Sequence, residues 1–202
     1  MFDRGATTMA DAGADPDGYA AVAEGRSAPP AQILAFMGGD RVTIQAALRR
    51  AAMELAQVGY RVIGVVEEIE ADDERVRLRD LASGAAYPLT QDLGPGAGGC
   101  SLDPAGLAAA CGSVEAAIAA GLSVPGAMQA TIVILSKFGR QEAEGRGLTH
   151  AFHAAVAADL PILTSVSPVV SAAWAAFAGE LAISAQPEMA AVRAWQAALD
   201  GR

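Results

Sequence analysis

Four short apolar runs, each followed within two residues by a glycine, a proline or a charge, frame this chain. They are Ile33-Leu34-Ala35-Phe36-Met37 before Gly38-Gly39, Arg61-Val62-Ile63-Gly64-Val65-Val66, Thr131-Ile132-Val133-Ile134-Leu135, and Pro161-Ile162-Leu163-Thr164-Ser165-Val166. Runs of this length, rich in β-branched residues, predict strands buried on both faces, as in parallel sheets. Between them, apolar positions recur at helical spacing: Leu48, Ala51, Ala52 and Leu55, then Leu107, Cys111, Val114 and Ile118. A further helix is expected from about Leu148 to Ala158, a short one carrying Trp174 and Phe177, and a terminal one carrying Met189, Val192, Trp195 and Leu199. Asp103 before Pro104 supplies an N-cap and first-turn pair, and Gly59 closes the first helix. This alternation predicts an α/β protein of three-layer α/β/α type, with right-handed crossovers and a mostly parallel sheet.

One segment breaks the alternation. From about residue 72 the period becomes two, with Val76, Leu78 and Asp80 alternating with Arg75, Arg77 and Arg79. Ser83-Gly84 and a second extended stretch follow, so an antiparallel hairpin is expected over about 72–89, inserted after the second strand. Residues 1–30 are rich in Ala, Gly and Asp, lack an apolar period and end in Pro29-Pro30. They read as a disordered extension, leaving residues 31–202 as a single α/β domain.

Composition narrows the function classes. With 52% hydrophobic residues in 202, one core can be well buried. The excess of 23 acidic over 14 basic residues, a net charge of -9, repels nucleic acid and anionic lipid. No unbroken apolar run approaches the ~20 residues of a membrane span and no leader pattern opens the chain, so a cytoplasmic protein without nucleic-acid or membrane partners is expected. Oligomeric state, a homo-oligomer included, is left open. Cys100 and Cys111 are the only cysteines and read as free thiols, Cys111 in a helix core. His150 and His153 lie three apart on a predicted helix but belong to no zinc-like quartet, so no metal is expected. Ser136 and Ser165 lack a nucleophile elbow.

The candidate chemistry gathers at one strand end. Ser136-Lys137-Phe138-Gly139-Arg140-Gln141-Glu142-Ala143-Glu144-Gly145-Arg146-Gly147 follows the third run and holds three basic residues, two acids and three glycines. Ligands of open α/β sheets bind beyond the carboxyl ends of the strands. Lys137, Gly139, Arg140, Glu142 and Gly145 are therefore candidate ligand-binding residues. Lys137 and Glu142 are the candidates for catalysis, with Glu142 or Glu144 as the base. The first turn, Gly38-Gly39-Asp40-Arg41-Val42-Thr43-Ile44, stands where a phosphate-binding loop would stand. It lacks the second glycine and the lysine of GxxxxGK[ST]. Gly38, Gly39 and Arg41 still offer backbone N–H groups and a cation to an anion, with Asp40 opposing. Lys137 is placed to supply charge that the first loop has lost. The ligand expected is a small anion, an oxyanion or the phosphates of a nucleotide; no cofactor follows from the residues.

The runs Gln91-Asp92-Leu93-Gly94-Pro95-Gly96, Gly99-Cys100 with Leu102-Asp103-Pro104, and Lys137 through Gly147 resemble the bacterial domain-of-unknown-function 2478 family, from about Gln32 to the end of the chain. Members of that family are often encoded beside molybdate-transport genes, which implies a class of partner. Ser136 through Glu142 is also similar to the second acidic motif of small P-loop nucleoside-triphosphatases, Asp-Glu-Ile-Gly-Lys-Met-Glu. Gly139, Arg140 and Glu142 match it, while Ser136 and Lys137 replace the acids that organise magnesium and water. These resemblances imply a degenerate P-loop fold that binds an oxyanion or nucleotide phosphate, accessory or regulatory to molybdate or metal metabolism. A divergent nucleoside-triphosphatase or phosphotransferase, and a ligand-free interaction scaffold, are the alternatives.

Overall fold

Seven strands form one sheet in the computed structural model, which describes residues 31–69, 76–91, 102–123 and 130–201. They are β1 (Ile33–Phe36), β2 (Arg61–Ile69), β3 (Val76–Asp80), β4 (Ala86–Pro88), β5 (Thr131–Phe138), β6 (Ile162–Val166) and β7 (Ala182–Ala185). Their spatial order is β4-β3-β2-β5-β6-β1-β7. The five strands from β2 to β7 in that order run parallel, and β3 and β4 extend the sheet antiparallel, as the hairpin expectation requires. The helices are α1 (Arg41–Gln57), α2 (Pro104–Leu122), α3 (Arg140–Ala143), α4 (Thr149–Ala157), α5 (Ser171–Ala178) and α6 (Met189–Asp200). The fold is thus α/β with a mostly parallel sheet and helices on both faces. The extension expected over residues 1–30 lies outside the described residues.

Alternating strand residues point to opposite faces, and this divides the core in two. Ile33, Ala35, Val65, Val133 and Leu135 pack with α2, α4 and α5. Leu34, Phe36, Ile132, Ile134 and Leu163 pack with α1 and α6. Trp195 anchors α6 by donating its indole N–H to the Ala31 carbonyl at 2.8 Å. The Tyr60 hydroxyl donates to Asp200, and burial, with Asp200 adding to it, pushes the Tyr60 pKa up to about 12.

Three features differ from the sequence expectations. β7 was not foreseen, because Ala182-Ile183-Ser184-Ala185 has no strong apolar run; its parallel pairing with β1 makes it an edge strand. β5 continues through Phe138, so Ser136 and Lys137 belong to the strand end and the loop starts at Gly139. α2 has 19 residues and a mean hydropathy of 1.5, long and apolar enough to cross a membrane, where no such segment was expected. Here α2 lies on the sheet with Leu107, Ala110, Cys111, Val114 and Ile118 buried, and Asp103 caps it by accepting from the Ala105 and Gly106 N–H groups.

β2 changes partner along its length. Arg61 to Val65 pair with Thr131 to Leu135 of β5, whereas Val65 to Ile69 pair with Asp80 to Val76 of β3. Glu67, opposite Leu78, therefore lies just past the end of the β2–β5 ladder, at the carboxyl edge of the parallel sheet.

Candidate functional site

Leu135 and Phe138 both pack in the α2, α4 and α5 layer although they are three residues apart. Regular alternation would send them to opposite faces, and a register shift between them in the β5–β6 pairing absorbs the odd residue. The Phe138 ring is held by Trp174, Phe177 and Phe152 at centroid distances of 5.1, 5.3 and 5.7 Å. Such aromatic packing fixes the strand end beside Lys137. Beneath it, the Thr164 and Ser165 hydroxyls donate to the Leu135 and Ser136 carbonyls, each at 2.9 Å.

Lys137 meets a carboxylate that the sequence reading did not single out. Glu67 accepts from Arg41 Nε at 2.6 Å through Oε2, and Lys137 Nζ lies 3.3 Å from Oε1. The Glu67 side chain is only 1% exposed, against 45% for Arg41 and 47% for Lys137. One buried anion thus holds two cations whose outer surfaces face water. Gln45 steadies the arrangement from α1: its Oε1 accepts from the Glu67 N–H at 3.0 Å, and its Nε2 donates to the Ser136 hydroxyl at 3.4 Å. Glu67 was legible in one respect, since an acid at the end of an apolar strand obeys the same strand-end rule as Lys137.

Glu142 is buried inside the loop after β5. Its Oε2 accepts from the Gly139 N–H and its Oε1 from the Leu148 N–H, each at 2.9 Å. Burial pushes its pKa up, and these backbone donors oppose that rise. Gly147 has φ +62°, and a Cβ there would overlap Glu142 Oε1, so glycine is needed for the loop to close over the carboxylate. The Thr149 hydroxyl adds a bond to the Glu142 carbonyl at 3.2 Å. Glu142→Ala leaves two buried N–H groups without acceptors. A loss of about 2–3 kcal/mol in stability is expected, measurable as a fall in the urea midpoint.

A cleft of about 320 Å³ opens here, lined by Glu67, Ser136, Lys137, Gly139, Arg140 and Glu142 among others. Four predicted site residues, Lys137, Gly139, Arg140 and Glu142, therefore line one cavity. Arg140 is exposed and has no ion-pair partner among the described residues. Gly38, Gly39, Arg41 and Gly145 do not line the cavity; Arg41 reaches it only through Glu67. At the first turn, Asp40 caps α1 by accepting from the Thr43 N–H at 2.8 Å and the Thr43 hydroxyl at 2.9 Å. These bonds hold the Asp40 carboxyl below its usual pKa. Gly38 and Gly39 have φ near +84°, and Gln186 and Pro187 pack against them from the segment after β7. Gly145 is a turn glycine with φ +73° and open space around it.

The remaining candidates separate. Glu144 pairs with Arg146, His150 is exposed, and His153 stacks on Phe177 at 5.5 Å. No group of three or more His, Cys, Asp or Glu able to hold a metal occurs among the described residues. Cys111 is a buried free thiol whose pKa burial raises, and Cys100 lies outside the described residues.

A mostly parallel sheet whose first strand ends in a glycine turn into a helix, with ionic groups gathered at the carboxyl edge, defines a three-layer α/β protein. The chain belongs to the DUF2478 family, whose model, described as a protein of unknown function, matches residues 33–195. It is 31% identical over 170 residues to "Molybdenum import ATP-binding protein ModC 2" of Bradyrhizobium diazoefficiens, covering 82% of this chain. The chain spans only 18% of that relative's length. Its fold is similar to that of a human cancer-related nucleoside triphosphatase, with a TM-score of 0.56, 13% identity, and 83% and 94% of the two chains covered. THEP1 from the hyperthermophile Aquifex aeolicus aligns with a TM-score of 0.49 at 12% identity, over 76% and 87% of the two chains.

Proposed function

We propose that the chain is a binding module that holds an oxyanion or the phosphate of a nucleotide at the carboxyl edge of β2 and β5, without turning it over. The observation that carries this reading is the pair of half-exposed cations, Arg41 and Lys137, on the single buried carboxylate of Glu67. Beside them, Arg140 lines the cleft with no intramolecular anion among the described residues. One acid preorganises two cations and leaves positive charge over for a ligand, at little further cost in ordering.

The same geometry argues against hydrolysis. Asp40 occupies the amino end of α1, where a phosphate would otherwise draw on the helix dipole. Both carboxylate oxygens of Glu142 are engaged by backbone N–H groups, which leaves the candidate base poorly placed to take a proton from water. Ser136 and Lys137 stand where magnesium-organising acids would be needed. The name of the Bradyrhizobium relative and the gene neighbourhood implied by the family resemblance support a role accessory to molybdate or metal metabolism.

Thermal shift with molybdate, tungstate, sulfate, phosphate, ATP and GTP, with and without magnesium, tests the reading, because a ligand that binds only the folded state raises its melting temperature. A shift with at least one of these anions is expected. Lys137→Ala should abolish that shift while lowering the melting temperature of the free protein little, since Arg41 still neutralises Glu67. A large loss of stability with anion binding intact would overturn the assignment, and steady release of phosphate from ATP would favour the enzyme.

A further inference from the structure

The cleft has two chemically different walls. Its cationic wall comes from the end of β5 and the loop beyond it, with Lys137 and Arg140. Another part of the lining is apolar, with Leu78 of β3, Leu89 after β4, Leu102 just before α2 and Leu107 of α2. Leu78 stands directly across the β2–β3 ladder from Glu67, so the apolar wall begins beside the ion cluster. None of these four leucines brings a side-chain donor or acceptor. A bare oxyanion needs no such surface, and a nucleobase laid against it would have to turn its polar edge toward Ser136, Gln141 and Ser167 elsewhere in the lining.

We infer that the ligand of this cleft is an organic anion with an apolar body, such as the monophosphate ester of an acyl-like or hydrocarbon group, whose head meets Lys137 and Arg140 while its body lies on the leucine wall. This rests on the anion-binding reading above and narrows it. Leu78 and Leu89 are almost fully buried, so half-buried Leu102, just ahead of α2, offers most of the leucine surface that the body would meet. Apolar burial is additive along a chain, so each methylene that enters the cleft tightens binding by ~4-fold.

The experiment is isothermal titration of the full chain with inorganic phosphate, methyl, butyl and hexyl phosphate, and AMP. Affinity is expected to rise from methyl to hexyl phosphate, with AMP and inorganic phosphate weakest, and Lys137→Ala should weaken every ester. Leu102→Ser, at a half-buried position that spares the deeper core, should weaken hexyl phosphate by ~10-fold and leave inorganic phosphate unchanged. Equal binding of inorganic and hexyl phosphate, both lost in Lys137→Ala, would overturn the apolar body and keep the anion site. Binding that grows with chain length but ignores Lys137→Ala would overturn the anionic head, and with it the proposed function. AMP binding as tightly as hexyl phosphate would overturn the preference for a hydrocarbon body over a nucleobase, and no binding by any of the five would overturn the organic anion, while the oxyanion reading stands or falls on the thermal shift with molybdate and tungstate.

Discussion

Gly64→Ala is expected to cost about 3–5 kcal/mol of folding stability, the sum of backbone strain and overpacking. Gly64 has φ +115°, which side-chain-bearing residues rarely adopt, and a Cβ there would overlap the carbonyl oxygen of Ile134 in the paired strand β5. The position matters because β2 is handed from β5 to β3 within two residues of it, and its own carbonyl accepts from the Leu81 N–H at 2.9 Å. Relief of the clash would need the two central strands to separate, at the expense of ladder bonds on both sides. Urea denaturation measures the effect directly. A loss below about 1 kcal/mol would mean that β2 can shift without disturbing its neighbours.

The second large effect is expected from removing both cations from Glu67. Arg41→Ala and Lys137→Ala singly should each cost no more than about 1 kcal/mol, because both side chains are half-exposed and the other still neutralises the carboxylate. Together they strand a buried anion that keeps no cation within ion-pair distance among the described residues. The double variant should then lose about 3–5 kcal/mol, well beyond the sum. A double-mutant cycle in urea is the measurement, and simple additivity would show that Glu67 finds solvent or another donor.

Much of the architecture was legible because it depends on local pattern. The runs at Ile33, Arg61, Thr131 and Ile162 are apolar on both sides, and only strands buried on both faces need that. The hairpin announced itself by alternation from Val76 to Asp80. Asp103-Pro104 marked the start of α2 to the residue. β7 escaped because Ala182-Ile183-Ser184-Ala185 carries too little apolar signal on its own; pairing with β1 supplies the strand. The extension of β5 through Phe138 escaped because a register shift breaks the period that would have revealed it.

The candidate site was legible in part for the same reason. Lys137, Gly139, Arg140 and Glu142 share one strand end, so their gathering in one cleft needed no knowledge of distant residues. The role of Glu142 was not legible, since a glutamate available as a base and one spent on two backbone N–H groups have the same sequence. Asp40 followed the capping rule, and this occupies the helix end that the glycine turn had been expected to offer to a ligand.

By itself, then, the sequence determined the alternation of strands and helices, the hairpin insertion and the strand end at which charge collects. These follow from apolar periodicity and turn chemistry over a few residues. Only the tertiary structure decided that Glu67 of β2 stands between Arg41 of α1 and Lys137 of β5, and that leucines from the hairpin and α2 wall the cleft beside them. Those neighbours are set by which strands pair and in what register, a choice made by burial across the whole sheet.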